Sequence, residues 1–294
     1  MNQFTQSVRA ELLDGLPTSP CCRRALLFGL LVNAECGIGG DVYIRSSGED
    51  TTALIVRLLR EQYSREVEPA ASNCYGRYTA EALVSSEKLA RQLSDLSDAE
   101  KTEADLPFLR CEMCTQAFCA GLLLSSAAIS DPEREPRAEI RVNDPVRAER
   151  VACFFRAHGM KPSISTRKGA AALLFKCVAD VEGIVTLSGA VMSAMALMQE
   201  KMLRELRGEI NRKRNCEVKN LKRTVGAANA QVEAIAALRA SGRLKDLPAE
   251  LQETADLREA HPEMSLADLA AAHNPPISKS GLNHRLEKLL REAE

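Results

Sequence analysis

Apolar and polar positions along this chain follow two periods, and the places where one period gives way to the other outline an order of elements that occurs twice. The run Cys22–Glu35 is apolar enough for a buried helix. Asp41–Arg45 alternates as a strand does, Asp50–Tyr63 returns to amphipathic helical spacing, Glu66–Ala71 and Gly76–Ala82 are strand-like, and a helix begins at Ser85. The second passage starts with the apolar helix Cys111–Ser126, then the strand Arg137–Val142 and the amphipathic helix Asp144–His158. Strand-like Pro162–Thr166 and Ala171–Lys176 follow, and the helix Val178–Leu187 closes it. Each copy is a helix-strand-helix-strand-strand-helix unit, covering about 20–100 and 108–190 within a domain at 1–190, so the pattern predicts an α+β fold built by internal duplication.

Beyond residue 190 the strand period disappears. A Pro-free helical stretch, Gly189–Ala240, carries Met192, Met195, Met198 and Met202 at helical spacing, which is expected to pack against the neighbouring domain. It forms a bridge at 191–240. Gly242 and Pro248 punctuate the chain, and Pro248–Ala260 reads as a helix with Leu251, Ala255 and Leu257 inward. Ser265–His273, an N-cap type followed by Leu266, Leu269 and Ala270, precedes the turn Asn274-Pro275-Pro276-Ile277. A second helix from Ser278 repeats Leu282, Leu286, Leu289 and Leu290. Neither proline can continue a helix. The pattern over 241–294 is that of an all-α helix-turn-helix unit.

Charge localises the candidate chemistry. With a net charge of -1 over 294 residues, any nucleic-acid surface has to be local. It is concentrated in Lys201–Arg223, where nine bases against three acids leave +6. Arg212, Lys213, Arg214, Lys219, Lys222 and Arg223 are the candidates there for neutralising phosphate, a contribution without sequence information. The second helix of the terminal unit offers Ser278, Lys279, Ser280, Asn283, His284, Arg285 and Lys288, with no acid before Glu287. Those side chains suit phosphates and major-groove base edges. The bland alternatives are a solvated bundle helix and a solvated charged face.

The ten cysteines follow an N-terminus without an apolar leader, so they are expected to be reduced, in a cytoplasmic protein. No apolar run reaches the ~18 residues of a membrane span. Cys111-Glu-Met-Cys114 has the spacing of half a zinc site. No second such pair or paired His follows, and Cys21 and Cys22 read as small buried hydrophobes, so no metal and no cofactor are expected. The glycine-rich loop Cys36–Gly40 lies between a helix and a strand, the reverse of a phosphate-cradling order, and reads as a tight turn.

The leading helices of the two copies share Leu27-Phe-Gly-Leu-Leu31 and Cys119-Ala-Gly-Leu-Leu123. A helical glycine costs about 1 kcal/mol relative to alanine, so Gly29 and Gly121 point to close backbone approach between the copies. The pattern resembles the LAGLIDADG homing-endonuclease fold, with two such helices at a pseudo-twofold axis and two sheets astride DNA. In active members each helix ends with a metal-holding acid at its penultimate position. Here those places fall on Ala34 and Ser126, neither of which supplies a carboxylate. Glu35 could rescue one copy by a shifted register. The second copy offers no acid before Asp131.

The duplicated domain without its acids, the bridge Glu209–Val225 and the ending Pro275–Leu286 together are similar to the WhiA family, and Cys21-Cys-Arg-Arg24 also looks like its first motif helix. Where relatives often show Arg-Gly-Ala-Phe, this chain has Thr115-Gln-Ala-Phe118. The resemblance implies a bacterial DNA-binding regulator tied to cell division, chromosome segregation and, in sporulating relatives, sporulation, with a helix-turn-helix like sigma-factor region 4. The implied partners are double-stranded DNA and RNA polymerase or another transcription regulator, with no membrane and an open oligomeric state. An interaction scaffold for division or chromosome machinery and a metal-dependent endonuclease are the competing readings.

Overall fold

The computed structural model describes residues 2–97, 106–167 and 169–293. The close of the first copy at 98–100 lies outside them. Two compact units emerge, Met1–Leu203 and Arg204–Glu294.

The first unit opens with α1 (Gln3–Asp14), an element absent from the sequence reading. Phe4, Thr5, Val8 and Leu12 form its buried face, and Asn2 caps it by accepting from the Thr5 N–H at 3.0 Å. Asn2 and Thr5 donate to the Ile129 carbonyl at 2.6 and 2.9 Å. The first copy then runs through α2 (Pro20–Leu30), β1 (Glu35–Cys36), β2 (Asp41–Ser47), α3 (Glu49–Tyr63), β3 (Ala70–Cys74), β4 (Arg77–Ser85) and α4 (Glu87–Ser94). The second has α5 (Glu112–Ser126), β5 (Ala127–Ile129), β6 (Ala138–Val142), α6 (Pro145–Ala157), β7 (Ser163–Arg167), β8 (Ala170–Phe175) and α7 (Val178–Ser188). The strand orders β1-β2-β4-β3 and β5-β6-β8-β7 are identical, and every pairing is antiparallel. Duplication is thus a property of topology, since Val42 faces Val84 in one sheet where Ile140 faces Leu173 in the other.

The core of this unit forms around α2 and α5. A Cβ added to Gly29 would lie 2.2 Å from the Phe118 carbonyl oxygen and 2.9 Å from the Gly121 Cα; one added to Gly121 would lie 2.3 Å from the Leu26 carbonyl oxygen. Only glycine fits at this crossing. Around it Phe28 stacks on Phe108 at 4.4 Å, and Phe108, Phe118, Phe154, Phe155 and Phe175 continue the aromatic contacts at 5.1–5.2 Å.

Helix α8 (Val191–Ala240) contributes to both units. Glu11 accepts from the Met192 and Ser193 N–H groups at 2.6 and 2.9 Å, satisfying donors that a helix N-terminus leaves open. Ala194 and Leu197 are its buried anchors in the first core. The methionine stripe is not: Met192 is 70% and Met202 69% exposed, correcting the expectation that it packs on a neighbouring domain. Packing selected the alanine-leucine side of the helix, and the longer side chains stand in solvent.

The second unit comprises the rest of α8 with α9 (Ala249–Ala260), α10 (Leu266–Ala271) and α11 (Lys279–Ala293). Ile235, Leu238, Leu244, Leu251, Ala255, Leu269, Leu282, Leu286 and Leu289 make its core.

Candidate nucleic-acid interface

The terminal unit is organised so that one face of α11 is held in place while the other is presented. Ser265 caps α10, accepting from the Asp268 N–H at 3.2 Å and donating to its carboxylate at 2.7 Å. The turn contains a cis peptide at Asn274–Pro275, and the Ile277 N–H donates to the Ala270 carbonyl at 3.0 Å. Ser278 then accepts from the Gly281 N–H at 3.0 Å and starts α11. Beneath these helices His273 is buried, bridging the Leu269 carbonyl at 2.8 Å and Thr254 at 3.0 Å. Buried Arg258 donates to Gln231 at 2.8 Å and to the Met264 carbonyl at 2.9 Å, so α8, α9 and the segment before α10 share one polar tie.

Leu282, Leu286 and Leu289 turn α11 inward, while Lys279, Ser280, Asn283, His284 and Lys288 are exposed, with Ser280, His284 and Lys288 opposite the leucines, Lys279 in line with them at the first turn, and Ser278 exposed at the start of the helix. Arg285 lies on the flank, its side chain only 20% exposed, and its guanidinium meets the Glu250 carboxylate at 3.1 Å. The sequence offers it as a DNA contact with the others, but its register, three residues after Leu282 and four before Leu289, carries it toward α9. Asn283 donates to Glu287 at 2.8 Å.

Along α8, every residue from 211 to 227 is exposed, so Arg212, Lys213, Arg214, Lys219, Lys222 and Arg223 surround a helix segment with no buried side. Ile210, Val218, Leu221 and Val225 are exposed among them.

The positions of the nuclease acids have different chemistry. Ala34 is buried, and its carbonyl and that of Val32 accept from the buried guanidinium of Arg147, which also donates to Ser97 at 2.7 Å. A cation therefore holds the backbone on either side of Asn33, beside a cavity of about 350 Å³ that Glu35 and Asp144 also line. Ser126 accepts from Asn33 at 3.2 Å and lies 2.8 Å from the Ser125 hydroxyl. Asn33 also donates to the Arg141 carbonyl at 3.0 Å and accepts from the Asn143 N–H at 2.7 Å. These neutral hydrogen bonds join the ends of the two motif helices without a carboxylate. Glu35 is exposed in β1, and Asp131 accepts from the Phe4 N–H at 3.4 Å at the start of α1. Each sheet carries an exposed ion pair, Arg45–Glu81 at 3.1 Å in the first and Arg141–Glu139 at 2.9 Å in the second. A groove of about 400 Å³ in the first sheet is lined by Glu35, Tyr43, Arg45, Glu68, Glu81 and Leu83.

The cysteine reading is corrected. Cys111–Cys114 does have a second pair, because packing of α2 on α5 brings Cys21 and Cys22 to it, and the four sulfurs lie within 4.8 Å of one another. Hydrogen bonding from Ser19 draws the Cys21 thiol down to about 7, whereas burial pushes Cys22 up to about 12 and raises Cys114. Cys119, by contrast, is a buried hydrophobe, its thiol raised by burial.

Fold and site define a class: a duplicated LAGLIDADG-like domain, degenerate at its acidic positions, joined to a C-terminal helix-turn-helix domain. The sequence model of the WhiA LAGLIDADG-like domain matches residues 115–207 and that of the WhiA C-terminal HTH domain residues 210–293. A probable cell division protein WhiA from Lachnoclostridium phytofermentans is 30% identical over 97% of this chain and 96% of its own length. One from Syntrophomonas wolfei is 28% identical at the same coverage. The crystal structure of full-length WhiA from Thermatoga maritima superposes with a TM-score of 0.60 at 18% identity, covering 97% of this chain and 96% of that one. The chain belongs to the WhiA family. No described helix is long and apolar enough to cross a membrane.

Proposed function

We propose that this protein is a non-catalytic, double-stranded-DNA-binding regulator of transcription acting in bacterial cell division and chromosome segregation. The exposed N-terminal part of α11, with Lys279, Ser280, Asn283, His284 and Lys288 in solvent while Leu282, Leu286 and Leu289 are buried, carries this reading. It has the arrangement of a recognition helix, whose N-terminal residues reach base edges. Ser278 contributes its cap and an exposed hydroxyl, while Arg285 serves as a brace and a phosphate contact at the flank. The exposed bases of α8 from Arg212 to Arg223 supply sequence-independent affinity through counterion release. Such a protein works in the cytoplasm on the nucleoid, with RNA polymerase or another regulator as its protein partner.

The reading as a non-catalytic protein is supported by Ala34 and Ser126 at the places of the acids, neither of which supplies a carboxylate. Anisotropy titrations of the full chain against duplex DNA over a range of salt test the reading. The expected result is binding whose logarithm falls linearly with the logarithm of salt, and absence of DNA affinity at low salt overturns it.

A second role rests on a separate observation. The groove beside Tyr43 and Leu83 carries paired charges and exposed apolar side chains, a surface closer to a protein-docking face than to a DNA-binding one. It favours a scaffold function for the duplicated domain alongside DNA binding. A division or chromosome protein that still binds after Tyr43→Ala and Leu83→Ala would remove this groove from consideration.

A further inference from the structure

We infer that Cys21, Cys22, Cys111 and Cys114 bind a single zinc ion that ties the starts of the two motif helices together. The sulfurs are already placed for it. Sγ separations are 3.9 Å for Cys21–Cys22, 4.0 Å for Cys21–Cys111, 3.7 Å for Cys22–Cys111, 3.5 Å for Cys111–Cys114 and 3.9 Å for Cys22–Cys114. The sixth lies within 4.8 Å. A zinc ion with Zn–S bonds of about 2.3 Å in a tetrahedron requires sulfur-sulfur edges of about 3.8 Å. The cluster matches that figure before any ion is added, and its span leaves room for one ion rather than a multi-iron cage. Four sulfurs in a tetrahedron are a donor set suited to zinc, and with no open position the site is structural rather than catalytic.

The local structure provides for the charge. Four thiols each release a proton to solvent on binding Zn²⁺, leaving a centre of net charge -2. Cys21 and Cys22 follow Pro20 in the first turn of α2, while Cys111 is the N-cap residue of α5 and Cys114 lies in its first turn. The positive ends of two helix dipoles therefore converge on the site. Arg24 and Arg110 lie close to the ligands in sequence, and Ser19 donates to Cys22 at 3.3 Å. Cys22 and Cys111 are 89 residues apart, so the ion closes a long loop, and its binding energy becomes folding energy for the first unit. The Gly29–Gly121 crossing then has a metal clasp at the helix starts and the Asn33–Ser126 hydrogen bond near their ends.

The test uses untagged full-length protein purified under reducing, oxygen-free conditions from zinc-supplemented cells. Elemental analysis is expected to find about one zinc per chain, retained on gel filtration and released by a mercurial that titrates the thiols. Cobalt chloride added to the apoprotein should give the visible bands of tetrahedral four-thiolate cobalt. Cys111→Ser, at an exposed ligand, should abolish both signals and lower the melting temperature, whereas Cys153→Ser and Cys216→Ser should leave them intact. The cobalt spectrum of the unsubstituted chain stands whether or not the Cys111 variant folds. Folded reduced protein that holds no zinc and gives no four-thiolate cobalt bands overturns the inference. So do iron in place of zinc, or disulfides between these cysteines persisting in the reducing preparation.

Discussion

The crossing of α2 and α5 at Gly29 and Gly121 leaves no room for a side chain. Replacing Gly121 by alanine adds one methyl group where the Leu26 carbonyl oxygen would lie 2.3 Å away, the Leu30 nitrogen 2.8 Å and the Gly29 Cα 2.9 Å. All three obstacles are backbone atoms of α2, so no side-chain rotation relieves them. Intrinsic helix propensity favours the substitution by about 1 kcal/mol. Overpacking costs typically about 1–3 kcal/mol and more where nothing can yield, so the steric cost wins. We expect a net loss of about 2 kcal/mol or more, and a melting temperature lower by roughly 4–8 °C for a unit of this size. Gly226→Ala is the matched control: it is exposed on α8 with nothing within 4 Å of the added carbon, and it should raise stability by a few tenths to about 1 kcal/mol. Thermal and urea unfolding of the full chain, followed by circular dichroism, report both, with the two units fitted as separate transitions. A Gly121→Ala protein as stable as the unsubstituted chain would show that α2 and α5 do not cross at this contact.

Other consequences concern the DNA surface. Lys279→Ala or Asn283→Ala should narrow the difference in affinity between preferred and random duplexes by about 1–3 kcal/mol, measured by competition titration. Lys213→Ala should weaken all sequences similarly and reduce the slope of log affinity against log salt by about one. Arg285→Ala should destabilise the terminal unit through loss of its Glu250 contact, by at most about 1 kcal/mol in thermal or urea unfolding, with a smaller effect on sequence preference than Lys279→Ala. Supercoiled plasmid incubated with the protein and Mg²⁺ should stay intact, whereas nicking abolished by Glu35→Ala would restore the nuclease reading.

Legibility in the sequence followed the range of the forces involved. Motif helices, sheet strands and the helix-turn-helix were visible because Leu282, Leu286 and Leu289, or the alternation in Asp41–Arg45, encode a face within a few residues. Gly29 and Gly121 announced their crossing because each contradicts helix propensity. Strands β1 and β5, at two and three residues, are too short to show a period. Helix α1 went unseen because Phe4, Val8 and Leu12 are sparse among polar residues and acquire meaning only against the second copy, where Thr5 meets Ile129. The four-cysteine cluster depends on tertiary packing across 89 residues, which no local spacing contains. Repetition of cysteine pairs at the start of both motif helices was the available signal, and it becomes decisive only once the Gly29–Gly121 contact fixes how those helices meet. Arg285 shows the opposite limit, a residue with the right chemistry for DNA that the helix register directs to Glu250.

The central claim is that the exposed face of α11 reads DNA sequence while the bases of α8 hold its backbone. A selection from random duplexes by the full chain, run beside the Lys279→Ala/Asn283→Ala and Lys213→Ala/Arg214→Ala variants, tests it most directly. The account predicts an enriched motif for the unsubstituted chain, the same motif recovered at lower yield by the α8 variant, and a lost or altered motif for the α11 variant. An unchanged motif from the α11 variant, or no enrichment by the unsubstituted chain, would contradict it.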